Sequence, residues 1–338
     1  MRLLISTIFA LVACNGCGSA YKLKDQYDAS NFFDKFNFRD KAYYDALNPA
    51  YNGDPTNGSV KYLSRKAAAS AGLINTKGDQ VYIGVDHKHV AGKRDKRTGL
   101  HARQAVRLES KALFSGGLVI ADIENMPGTS CGVWPSLWMY NMDEDPVGEI
   151  DIIEGINKQK KNVVSLHTCG KCSFSKIGGL EQRSQCNNGG TLSQQCEDGT
   201  NYDGCGNTFG AGSYGLDFNN KGGGVYAVNL DKDAIKIFWW PRNKIPADVK
   251  ANKPNPHKWG TPAALFKSSS SCNVSKYFKK MSLIINTTFC GDNITPELWK
   301  DSKCRAQTGA ATCDAYVAKN PGAFEDDFWK FNYIQIWG

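Results

Sequence analysis

No stretch of this 338-residue chain is apolar for long enough to cross a membrane as a helix, which takes about 20 such residues. The chain ends on Phe328-Trp329-Lys330-Phe331-Asn332-Tyr333-Ile334-Gln335-Ile336-Trp337-Gly338, an alternating run and not a hydrophobic tail. A lipid anchor of the glycosylphosphatidylinositol type is therefore not expected. Basic residues are in excess, with a formal charge of +8, but they are scattered. Small clusters stand at Lys93-Arg94-Asp95-Lys96-Arg97 and Lys158-Gln159-Lys160-Lys161. That pattern argues against nucleic acid as a partner and reads as solvated surface, with weak attraction to anionic walls as the other use. No dedicated run of calcium ligands stands out, so no metal ligand is assigned and no cofactor is expected, while calcium binding stays open.

What is present suits a turn-rich β protein. The chain has 34 glycines and an aromatic content of 11%. Its length allows one large or two ordinary domains, and because all-β sandwiches often run to this size as one unit, residues 21–338 are read as a single domain. Residues 1–20 read as a secretory signal peptide: a basic start at Arg2, a short apolar run, then Gly18-Ser19-Ala20 with cleavage after Ala20. The rival is a lipoprotein signal at Leu11-Val12-Ala13-Cys14. Four glycosylation sequons, at Asn57, Asn273, Asn286 and Asn293, favour secretion, although Asn286 lies in a strand-like run where a structural use competes. Cleavage removes two of the twelve cysteines and leaves ten, an even number suited to an oxidising compartment. Five fall between Cys169 and Cys205. Cys169-Gly170-Lys171-Cys172 has zinc-like spacing, but the loose spacing of Cys186, Cys196 and Cys205 favours a disulfide-stapled loop.

The chemistry centres on Gly148-Glu149-Ile150-Asp151-Ile152-Ile153-Glu154-Gly155. Alternation of apolar and acidic residues reads as a strand, with Glu149 and Asp151 on one face. Glu154 is three beyond Asp151 and would point to the opposite face unless a bulge at Ile152-Ile153 adds one residue. With that bulge, three carboxylates line one side and the isoleucines face a core. Crowded carboxyls raise one another's pKa, so one stays protonated while another is ionised. Retaining glycoside hydrolysis needs such a pair at roughly 5–5.5 Å. A calcium site, or an acidic solvent face on an edge strand, fits the same residues.

The stretch Glu-Ile-Asp-Ile-Ile-Glu resembles the signature of glycoside hydrolase family 16 in its bulged form. Cys131-Gly132-Val133-Trp134-Pro135-Ser136-Leu137-Trp138 before it and Ser165-Leu166-His167-Thr168 after it extend the likeness to secreted fungal laminarinase-like endo-1,3(4)-β-glucanases. The resemblance implies an all-β, concanavalin A-like jelly-roll sandwich with a concave cleft. It implies a β-glucan substrate, with Glu149 as nucleophile, Glu154 as acid/base and Asp151 as the residue that orients the nucleophile. Arg107 falls on the family's Val-Arg strand, and His167 on the strand beside the catalytic one. Period two puts Trp134, Ser136 and Trp138 on one face, with Trp138 as the expected sugar platform. Trp239 and Trp240 point to opposite faces of a hairpin strand, and Trp239 is taken as a further substrate contact. The chain departs from the family in having Asp143-Glu144-Asp145-Pro146 and Asn293 where tryptophans are usual. The expected protein is a secreted monomeric endo-glucanase, extracellular or wall-associated. A transglycosylase and a glucan-binding lectin are the alternatives.

Overall fold

The computed structural model describes residues 21–51, 53–92, 102–141, 144, 146–168, 172, 174, 176–178 and 205–338. The expected signal peptide and the Lys93–Arg97 cluster lie outside them. Two antiparallel sheets face each other. One has the strand order Lys176–Gly178, Ala264–Lys267, Ala234–Pro241, Gly224–Leu230, Gly117–Asn125, Trp329–Trp337, Gln80–Ile83, Ile74–Lys77, with Leu23–Tyr27 also paired to Trp329–Trp337. The other has the order Cys205–Thr208, Val163–Thr168, Gly148–Glu154, Val133–Tyr140, Met281–Phe289, Arg107–Phe114, Phe36–Phe38. This is the jelly-roll sandwich that the sequence implied.

Period-two alternation decides which side chains meet between the sheets. Val119, Ala121 and Ile123 of one sheet join Leu137, Met139, Ile150, Leu283 and Ile285 of the other in one buried cluster. The Gly224–Leu230 and Ala234–Pro241 strands form the expected hairpin, and Asp231 closes its turn by accepting from the backbone N–H of Asp233 and Ala234. Trp239 and Trp240 do face opposite ways. Trp239 packs toward the inter-sheet cluster beside Tyr226, while Trp240 lies on the outer face between Phe238 and Trp259.

A second buried cluster closes one end of the sandwich. The helices Pro296–Asp301, Cys304–Thr308 and Cys313–Lys319 pack Trp299 and Val317 against Val133, Trp134 and Phe289. Disulfides Cys131–Cys304 and Cys290–Cys313 tie this helical cap to the strands. Period-two alternation does not extend into this segment. Its local signals are Thr295 and Thr312, each accepting a backbone N–H as N-cap, and Pro296 at the first helical position. Cys172 pairs with Cys272, so this member of the cysteine-rich loop is tied to a distant segment and not within the loop. Cys169, Cys186 and Cys196 lie outside the described residues. Among the described residues, no helix is long and apolar enough to cross a membrane.

Candidate active site

The Gly148–Glu154 strand is the third of seven in its sheet, with a partner on each side. Against Val133–Tyr140 its register runs Glu149 to Tyr140 and Asp151 to Trp138, then skips Ile152, so that Ile153 meets Leu137 and Glu154 meets Ser136. Against Val163–Thr168 the register breaks between Asp151 and Glu154 as well. The bulge therefore falls at Ile152-Ile153. Ile150, Ile152 and Ile153 are all buried in the inter-sheet core, which leaves Glu149, Asp151 and Glu154 on the opposite, open face. Gly155 ends the strand hard against Tyr214: an added Cβ would lie 2.5 Å from the ring's Cζ.

Two buried asparagines hold the strand's ends. Asn141 Oδ1 accepts from Gly148 N (2.5 Å) while its Nδ2 donates to the carbonyls of Tyr277 and Lys279. At the bulge, Asn162 Nδ2 donates to Ile152 O (2.8 Å) and its Oδ1 accepts from Glu154 N (3.0 Å).

The three carboxylates have no lysine or arginine ion-pair partner among the described residues. His167, opposite Glu149 in the register, brings Nε2 to 3.3 Å from Asp151 Oδ2. Burial works against a charge on His167, but the hydrogen bond and charge of Asp151, with the two glutamates, push its pKa up to about 9. Burial, then the charge of Asp151, raises Glu149 well above the ordinary carboxyl range. The same two causes push Glu154 up to about 7, although Trp134 Nε1 donates to its Oε1 at 2.9 Å and so favours the ionised form. Glu149, Asp151 and His167 also place their donor atoms within 4.8 Å of one another, a set whose donor types could hold a divalent ion.

The neighbouring strands supply the surroundings. Arg107 is buried, with its guanidinium carbon 5.0 Å from the ring centres of both Tyr44 and Trp138. Val106 and Leu108 face the core, as alternation requires. Burial opposes the charge of Arg107, but the phenols of Tyr44 and Tyr62 and the carboxylate of Asp54 raise its pKa and keep it a cation. Trp138 Nε1 donates to Asn286 Oδ1 at 2.8 Å. Asn286 is thus buried in the sheet, whereas Asn57, Asn273 and Asn293 are exposed.

The structure brings Glu149, Asp151, Glu154, Arg107, Trp134, Trp138 and His167 to one region. It does not bring Trp239 there. That residue sits on the other sheet, stacked with Tyr226, because odd positions of its strand face the inter-sheet core. Trp134 proves to be both a core residue of the end cap and a hydrogen-bond donor to Glu154. Sequence reasoning missed Tyr140 and Asn162, while the structural use expected for Asn286 is the one observed. Tyr140 was reachable, since it continues the alternation of Trp134, Ser136 and Trp138. Nothing local marks Asn162. Beyond Trp134, where Gly291 meets its ring, a pocket of about 510 Å³ opens among Tyr51, Asn57, Asp292, Trp299 and Thr312.

The family model for an XgeA-like catalytic GH16 domain matches residues 49–337. The chain belongs to glycoside hydrolase family 16. This family 16 domain is 39% identical over 330 residues to an endo-1,3(4)-beta-glucanase of Arthroderma benhamiae, covering 95% of this chain and 65% of that protein. It is 36% identical over 323 residues to endo-1,3(4)-beta-glucanase xgeA of Emericella nidulans, covering 94% of this chain and 47% of that one. The chain thus spans about two thirds of the first relative and about half of the second. Among solved structures it resembles an elongating GH family 16 beta-1,3-glucosyltransferase (37% identity, TM-score 0.77, 94% of this chain and 100% of that one). It also resembles Laminarinase 16A of Phanerochaete chrysosporium, solved with 6-O-glucosyl-laminaritriose in donor and acceptor sites (29% identity, TM-score 0.79, 95% and 100%).

Proposed function

We propose that this glycoside hydrolase domain cuts β-1,3-glucan internally, and mixed β-1,3/1,4-glucan as well, with retention of anomeric configuration. The observation that carries the reading is the bulged strand, which sets two raised carboxyls, Glu149 and Glu154, on one face with Asp151 and His167 beside them. Glu149 attacks the anomeric carbon as Glu154 gives its proton to the departing glycosidic oxygen. Glu154, now ionised, takes a proton from water, which then releases the sugar from Glu149. Asp151 orients Glu149 and binds the His167 imidazolium. Trp138 and Arg107 form one flank of the sugar site. The three disulfides among the described residues suit a secreted protein.

Release of reducing ends from laminarin and from mixed-linkage glucan tests this, with wild type against Glu149→Gln. The expected result is activity on laminarin and a loss of at least about a hundredfold in the variant, roughly 2.7 kcal/mol of barrier. Absence of wild-type activity on both glucans overturns the reading.

Transfer to a sugar acceptor is the second reading, favoured by the 37% identical glucosyltransferase structure. Both reactions use the same residues and differ in what attacks the glycosyl-enzyme. Adding laminari-oligosaccharide acceptors separates them: hydrolysis gives shorter products only, whereas transfer also gives products longer than the starting chain.

A further inference from the structure

We propose that Asn162 is a positioning residue that sets the aim of Glu154 by closing the bulge; the inference rests on reading Glu154 as the acid/base. A bulge removes backbone groups from the ladder, and buried backbone groups need partners. Ile152 has no register partner on either neighbouring strand. Asn162, which is fully buried, supplies what the ladder lacks: a donor for Ile152 O at 2.8 Å and an acceptor for Glu154 N at 3.0 Å. One amide side chain thus bridges the two residues that flank Ile153 and fixes the backbone at Glu154. The direction of the Glu154 Cα–Cβ bond, and so of its carboxyl, follows from that backbone.

The clamp is itself mounted. Asn162 N donates to Ser213 Oγ (2.9 Å), and Asn162 O accepts from Phe209 N (2.9 Å). Ser213 Oγ donates onward to Gly210 O (2.7 Å), while Ser213 O accepts from the Tyr226 hydroxyl. Tyr226 stands on the Gly224–Leu230 strand of the opposite sheet. Asn162, Ser213 and Tyr226 are all buried, so this line of hydrogen bonds ties the acid/base strand to the other sheet without passing through solvent. The bridge needs a donor and an acceptor on one short side chain. Aspartate has no donor for Ile152 O, and leucine has neither group.

The test exploits the leaving group. A sugar alcohol leaves only when protonated, whereas dinitrophenolate leaves without a proton, so a misaimed acid hurts the first and spares the second. kcat/KM would be measured for a laminari-oligosaccharide and for dinitrophenyl β-laminaribioside, in wild type, Asn162→Ala, Ser213→Ala, Tyr226→Phe and Glu154→Gln. General acid catalysis contributes about 10²–10⁴-fold. Asn162→Ala should therefore lose at least about tenfold on the oligosaccharide and less than about threefold on the aryl glycoside. Ser213→Ala should show the same bias more weakly, and it decides the matter with Tyr226→Phe if Asn162→Ala does not fold. Equal losses on both substrates, or none, would overturn the proposal and leave these residues structural. If Glu154→Gln itself shows no bias, the acid/base assignment fails and this inference with it.

Discussion

Two strands of this protein carry carboxylates two residues apart, and the fold treats them in opposite ways. On Gly117–Asn125, Asp122 receives both oxygens' worth of hydrogen bonds from Arg242 Nη1 (2.6 and 2.8 Å) and one more from Asn332. Glu124 is paired to Lys330 (2.8 Å) and receives Gln80 as well. The Lys330 hydrogen bond, against some burial, holds Glu124 below the usual carboxylate range. On Gly148–Glu154 the carboxylates at 149, 151 and 154 have only His167 as a cationic ion-pair partner among the described residues, and both glutamates are raised. The same sequence pattern yields a neutralised structural pair in one sheet and a proton-holding site in the other. What separates them is burial first, with the crowding charge of Asp151, and then whether a lysine or arginine pairs directly with the carboxylate.

That contrast can be broken by exchanging charge for amide on each side. Asp151→Asn removes the partner of His167 and should cost about a hundredfold or more in glucan hydrolysis, roughly 2.7 kcal/mol. Asp122→Asn should leave the rate within about twofold and lower the thermal midpoint instead, since hydrogen bonds to charged groups are worth about 1.5–3 kcal/mol. If Asp122→Asn abolished activity in a folded protein, the division into structural and catalytic pairs would be wrong.

The next effect is on the pH profile. Activity should follow a bell whose alkaline limb marks loss of the Glu154 proton near pH 7. Trp134→Phe removes a donor that favours ionised Glu154. The alkaline limb should then move up by about one pH unit. A limb that stays put, or moves down, would show that the indole N–H does not act on this proton.

Stability gives the reverse sign. A carboxyl whose folded pKa lies above its unfolded value stabilises the fold relative to high pH: the contribution is complete below about 4.5 and lost as pH rises through about 7. Glu154→Gln should therefore raise the thermal midpoint at pH 8 by a few degrees, at about 2–4 °C per kcal/mol, and change little at pH 4. Calorimetry at the two pH values checks it. The smallest effect belongs to the other sheet. Lys330→Met should cost no more than about 1 kcal/mol, as expected for a partly exposed pair. Because the folded pKa of Glu124 is depressed, that cost should appear above about pH 4.5 and fade as pH falls through the folded value.

Much of the site was legible because strand faces follow from period two. Arg107 against Val106 and Leu108, and Trp134, Ser136 and Trp138 in one row, needed nothing beyond alternation. The bulge needed the family signature, since a three-residue step alone gives no reason to prefer it over a regular strand. The helical cap was missed because its elements are short and buried mainly by contacts distant in sequence. Trp239 was misplaced for a related reason: alternation says that it and Trp240 face apart, but not which sheet lies across from either.

By itself, the sequence determined the local geometry: which side chains share a face, where turns and caps fall, and which residue types stand ready for acid/base chemistry. Those depend on backbone periodicity and nearest neighbours, which the chain carries at every position. Only the tertiary structure decided the electrical state of each carboxylate. Arg242 reaches Asp122 across 120 positions and Lys330 reaches Glu124 across 206, while Glu149 and Glu154 have no lysine or arginine ion-pair partner among the described residues. A pKa is set by burial and by the charges within a few ångströms, and which charges those are is fixed only when distant strands are brought together.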